Sequence, residues 1–112
     1  MSTLVAMLMN SRTQAHYFHL RATTYGQHKA LQKYYEKIVD LVDTYAEAYP
    51  RKIKAIKINK RFLQDPAKAP AYFKSLLARM KKMKLSKEPH LKNIQDEIVT
   101  LIHKTLYLLR LK

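Results

Sequence analysis

The sequence predicts an all-α protein folded as a compact four-helix bundle with short connections. Three observations carry this. The 112 residues are 47% hydrophobic, which is enough for one core and too apolar for a disordered chain. One Gly and four Pro supply too few turn residues for the hairpins of a β-sandwich or barrel. Apolar residues recur at helical spacing in four segments, separated by the turn at Ala22–Thr24 and by Pro50, Pro66, Pro70 and Pro89. The length suits a single domain over residues 1–112.

The first helix spans about residues 2–22, with Ser2 placed to cap its start and Leu4, Leu8, Ala15 and Phe18 on one stripe. Thr24 then caps a second helix over about 24–49, where Leu31, Tyr34/Tyr35, Ile38, Leu41/Val42 and Tyr45 keep the period. Gly26 falls in its first turn, where it is better tolerated than mid-helix. Pro50 ends this helix, because the residue before a proline is pushed out of the helical region. The basic connector 51–65 carries Ile53, Ile56 and Ile58 among lysines and fits a short amphipathic helix, a strand or an extended link. Pro66 and Pro70 bracket the start of a third helix over about 66–84, with Tyr72/Phe73, Leu76/Leu77 and Met80. Ser86-Lys87-Glu88-Pro89 reads as a cap followed by a first-turn proline, opening a fourth helix over about 87–111. Ile94, Ile98, Leu101, Thr105 and Leu108 form its expected buried stripe.

The absence of Cys excludes disulfide scaffolds, Cys-based zinc sites, iron–sulfur clusters and thiol catalysis. The apolar stretch Leu4–Met9 has no basic residue ahead of it and is too short to span a bilayer, so a cytoplasmic protein with no membrane partner is expected. A net charge of +14 calls for a polyanionic partner. Between Arg51 and Lys87 there are thirteen Lys and Arg against the single acid Asp65. Four of the eight acids, Glu36, Asp40, Asp43 and Glu47, lie together upstream. The two charge types therefore serve different purposes.

Four residues, His16, His28, Asp43 and Glu47, form a candidate metal-ligand set. Imidazole with carboxylate suits Fe, Zn or Mn, and Asp43 and Glu47 at i, i+4 share a helix face. Singly, each also fits a plainer role: a hydrogen-bonded or surface histidine, or a solvated acidic face. His28 and Asp43 lie roughly 22 Å apart along one helix, too far to ligate one ion. His16 and His28 flank the same turn. A site using all four must join the histidine end of one subunit to the carboxylates of another, and a two-fold antiparallel dimer supplies two such sites.

At these residues the sequence resembles the Dps-like mini-ferritins of the ferritin-like superfamily. Their intersubunit ferroxidase centre reads His, twelve residues on His, fifteen on Asp and four on Glu, the intervals found at His16, His28, Asp43 and Glu47. The resemblance covers about residues 1–50. It implies a ferritin-like bundle forming a homo-oligomer with two-fold interfaces, a dodecamer in that family. It also implies a mono-iron or di-iron site, with Zn or Mn as alternatives, at which peroxide or dioxygen oxidises Fe(II). Tyr17 stands where the family has a tryptophan and becomes a candidate redox neighbour. His19, at i+3 from His16, is an auxiliary-ligand candidate that better fits a place at the surface or behind the ligands, holding them in position. Gln32 stands where the family carries a further acidic ligand, four residues after the second histidine. No Glu-x-x-His occurs, which argues against the intrasubunit di-iron site of other ferritin-like bundles.

The basic stretch suggests salt-dependent, sequence-neutral DNA binding through phosphate contacts. Arg79, Lys81, Lys82, Lys84 and Lys87 are its densest cluster and the candidate nucleic-acid-binding residues. Dps-like proteins often bind DNA through basic tails, whereas here the charge lies in the chain interior. A solubilising surface is the plainer reading. No nucleophile–base pairing and no phosphate-cradling glycine motif occurs. The leading expectation is a Dps-like ferroxidase that also associates with DNA. The alternative is a non-catalytic structural or nucleic-acid-binding protein, such as a nucleoid or viral component, with a vestigial metal site.

Overall fold

Four helices account for most of the chain: α1 (Ser2–Arg21), α2 (Tyr25–Ala48), α3 (Ala69–Lys82) and α4 (Pro89–Arg110), with a single 3-10 turn at Pro66–Lys68 ahead of α3. The computed structural model describes residues 2–53, 57 and 60–111, and no strand occurs among them. The side chain of Ser2, expected as a cap, and Ile56 and Ile58 of the connector lie outside the described residues.

The backbone of α2 packs against α1 and α4, while α3 packs against α4 and, more lightly, α1. Consecutive helices α2 and α3 therefore occupy opposite corners. Core side chains meet across the diagonal, as where the Tyr34 and Phe73 rings stand edge to face with centroids 4.7 Å apart. The fully buried set includes Leu4, Leu8, Phe18, Leu31, Ile38, Leu76, Leu91, Ile98 and Ile102. Each such side chain contributes roughly 1.5–3 kcal/mol by leaving water.

Buried polar groups are satisfied in pairs. Ser11 Oγ donates to the Leu8 carbonyl at 2.6 Å and lies 2.7 Å from Tyr34 Oη, joining α1 to α2. Gln95 Nε2 donates to Tyr45 Oη at 3.1 Å, joining α4 to α2.

The expected element ends shift where capping chemistry decides them. Thr24 Oγ1 accepts from Gln27 N–H at 3.1 Å, so the expected cap holds and α2 starts at Tyr25. Tyr49 is extended ahead of Pro50 and ends α2 at Ala48. The third helix is shorter than expected. Its first three residues form the 3-10 turn, capped by Asp65, whose carboxylate accepts from Ala67 N–H at 3.0 Å. Its end comes at Lys82, because Met83 is extended. The fourth helix starts at Pro89 with no side-chain cap. Ser86 Oγ instead accepts from Glu88 N–H at 3.2 Å in the preceding turn. Its buried stripe is Leu91, Gln95, Ile98, Ile102 and Thr105, so Ile94, Leu101 and Leu108 sit at the margin.

At its described positions the connector is neither helix nor strand. Gln14 holds it onto α1 with two bonds of 2.8 Å, Nε2–H to the Leu63 carbonyl and Leu63 N–H to Oε1. Gln27 Nε2 donates to the Pro66 carbonyl at 2.9 Å, fixing the same segment to α2.

Candidate metal centre

The short Ala22–Thr24 turn folds α2 back along α1, which brings the last turn of α1 beside the first turn of α2. His19 and His28 meet there with rings stacked 3.7 Å apart at 24°. Their hydrogen bonds are reciprocal. His19 Nδ1 lies 2.7 Å from the His28 carbonyl oxygen, and His28 Nδ1 lies 3.0 Å from the His19 carbonyl oxygen. A carbonyl only accepts, so both Nδ1 atoms carry the proton and both neutral rings keep their Nε2 lone pair. The His19 carbonyl, in the last turn of α1, accepts both from Ala22 N–H at 3.3 Å and from His28 Nδ1–H, so the pair also ties the end of α1 to α2. No hydrogen bond of either Nε2 atom occurs among the described residues.

His16 is half-buried one turn earlier, its ring stacked on Tyr35 at 4.7 Å and 27°. Tyr35 also stands edge-on to His19 at 5.2 Å. The aromatic neighbour of His16 is Tyr35, whereas Tyr17 stacks on Phe62 of the connector at 5.2 Å. His19 is no surface residue: it is buried and sits at the centre of the histidine cluster. The spacing His16-x-x-His19 puts two imidazoles on one side of α1, and the turn brings His28 of α2 against the second of them.

Asp43 and Glu47 are exposed on the far half of α2, without hydrogen bonds or ion pairs to other described residues. Asp43 rims a groove of about 270 Å³ between α1 and α2, lined by Leu8, Met9, Arg12, Val39 and Val42. Met9 is half-exposed on this outer face. Gln32 lies between the two ends, its Nε2 donating to Glu36 Oε1 at 2.7 Å. Among the described residues no three or more His, Asp or Glu side chains of one chain are placed to hold a metal ion. The histidines at the start of α2 and the carboxylates of its far half are therefore not brought together within one chain.

Residues 19–109 match DUF5856, a family of unknown function. The chain belongs to the DUF5856 family. The matched segment contains His19, His28, Asp43 and Glu47 and begins after His16. No curated protein and no solved structure matches the chain.

The basic candidates of this DUF5856 chain gather around the end of α3. Arg79, Lys81 and Lys82 lie in its last turns, and Lys84 and Lys87 follow in the link to α4. All five are exposed and make no ion pair with another described residue. The negative end of the helix dipole favours cations there, which explains three of them without any ligand. α2, with four of the acids, lies at the opposite corner of the bundle from α3, so the charge seen along the sequence is segregated in space. No helix of the described residues is long and apolar enough to cross a membrane.

Proposed function

We propose that the chain is a Dps-like iron-binding protein whose metal site forms between two copies. His16 and His28 of one copy would face Asp43 and Glu47 of the partner subunit across a two-fold axis. The observation that carries this reading is the carbonyl-locked tautomer of His28, which leaves Nε2 free. A metal-binding imidazole usually has its other nitrogen held by such an acceptor. The unpartnered carboxylates and the apolar groove beside Asp43 on the same face support it. Iron is the substrate: Fe(II) bound there gives up an electron to peroxide or dioxygen. The imidazoles hold Fe(II), and the carboxylates neutralise the charge of Fe(III). Gln32, engaged with Glu36, offers no charge where Dps-like proteins carry a further acid, which favours one iron per site over two. His19 is a positioning residue, since its Nδ1–H bond to the His28 carbonyl fixes the turn.

The same chain would associate with DNA without sequence preference in the cytoplasm, through Arg79, Lys81, Lys82, Lys84 and Lys87. Their exposure and lack of acidic partners favour this. The two parts separate experimentally. Anaerobic Fe(II) titration of protein of known oligomeric state, followed by peroxide, should give saturable binding and rapid ferric absorbance. Asp43→Ala with Glu47→Ala should abolish both and leave DNA affinity intact. Oxidation no faster than in buffer would favour the alternative of a non-catalytic nucleic-acid-binding protein, in which the reciprocal histidines only cap α1.

A further inference from the structure

A second polar site lies between α1 and α3, away from the histidines. Met7, Asn10 and Gln14 fall on one face of α1, and Tyr72 and Arg79 on one face of α3, at i, i+7. With Phe62 they enclose a pocket of about 110 Å³ whose wall is mostly polar. The Gln14 amide holds Leu63 through both its oxygen and its nitrogen, which fixes the connector as one side of the pocket. Among the described residues the other three polar groups have no hydrogen-bond partner: the Asn10 amide, the Tyr72 hydroxyl and the Arg79 guanidinium. No acid lines the pocket. Burial pushes the Tyr72 hydroxyl up to about 12, against a smaller opposing pull from Arg79, so it keeps its proton and can donate.

We infer that this pocket binds a single phosphate group. The volume corresponds to about four water molecules, which admits a phosphate and not a nucleobase with its sugar. The three side chains bring donors of three kinds, including the planar fork that grips two phosphate oxygens at once. The phosphate comes either from a nucleic-acid backbone or from free inorganic phosphate. The inference does not depend on the metal reading, and its backbone arm rests on the DNA association proposed above.

The test follows the Asn10 and Arg79 side-chain N–H resonances of the full chain during titration with inorganic phosphate and, separately, with a short DNA duplex. Both resonances should shift saturably. Arg79→Lys keeps the charge but loses the fork, and should weaken binding about tenfold, as loss of a charge-assisted hydrogen bond does. Asn10→Ala changes no charge and should weaken it several-fold. Lys74→Gln, exposed on the same helix outside the pocket, serves as the charge control. Shifts with duplex alone assign the pocket to the nucleic-acid backbone. Shifts with phosphate and no DNA binding assign it to free phosphate and overturn the DNA reading instead. An Asn10 amide unmoved by either ligand overturns the pocket, even if DNA binds elsewhere. So does a result in which Arg79→Lys and Asn10→Ala both bind as wild type.

Discussion

Removing the Ser11 hydroxyl should destabilise the protein more than removing the Tyr34 hydroxyl to which it is bonded. Both side chains are fully buried between α1 and α2, the two helices that carry the histidine cluster. Ser11 has one proton, and its bond of 2.6 Å to the Leu8 carbonyl uses it. The bond of 2.7 Å to Tyr34 therefore has the tyrosine as donor. Ser11→Ala leaves a buried phenol hydroxyl with no acceptor, at a cost of about 2 kcal/mol. Tyr34→Phe leaves Ser11 still bonded to Leu8 and costs only about 1 kcal/mol. Unfolding entropy of roughly 2.1 cal/mol/K per residue gives ~0.24 kcal/mol/K for this chain, so the expected falls in Tm are about 8 °C and 4 °C. The double variant has neither hydroxyl to orphan and should fall little below Tyr34→Phe alone. Thermal and urea unfolding of the four proteins measure this cycle. Strict additivity, or a larger loss from Tyr34→Phe than from Ser11→Ala, would refute the donor assignment.

Two further outcomes are expected. Burial raises the hydroxyls of Tyr34 and Tyr72 above the usual tyrosine range, so the folded state holds these protons more tightly than the unfolded chain. Their stabilising contribution is complete below about pH 10 and is lost as pH rises through the folded values, by at most about 1.4 kcal/mol per pH unit for each tyrosine. Urea midpoints should fall over that interval, and Tyr72→Phe should flatten the fall; an unchanged slope in the variant would contradict the assignment. On the basic face, Lys81→Gln, Lys82→Gln and Lys84→Gln together should reduce the slope of log affinity against log salt by about three for duplex DNA. An unaltered slope would leave these lysines a solubilising surface.

The helices were legible because apolar spacing and caps are local. The stripe of α2 from Leu31 to Tyr45 and the Thr24 cap could be read directly. Where the deciding interaction was not periodic, the reading drifted. The shortened α3 reflects a 3-10 turn capped by Asp65, and nothing in the apolar pattern separates that turn from a helix start. The buried face of α4 is rotated to include Gln95, whose polarity hides its place beneath Tyr45. The spacing of His28, Asp43 and Glu47 already implied that the histidine and the two carboxylates stand far apart along α2. The central position of His19 and the stacking of Tyr35, rather than Tyr17, on His16 depend on how α1 and α2 rotate against each other. Such a rotation is set by packing across the whole interface. The phosphate pocket was equally hidden, since it joins Asn10 to Arg79 across the bundle.

The central claim, a metal site shared between two copies, is tested most directly by mixing two inactive variants. His28→Ala lacks one half of the site, and Asp43→Ala with Glu47→Ala lacks the other. After the two proteins are unfolded and reassembled together at equal amounts, half of the two-fold pairs should be mixed, each with one intact site of two. Fe(II) oxidation should then return to about a quarter of the wild-type rate, while each variant reassembled alone stays inactive. A mixture as inactive as its components, alongside an active wild type treated the same way, would contradict a site built from two copies.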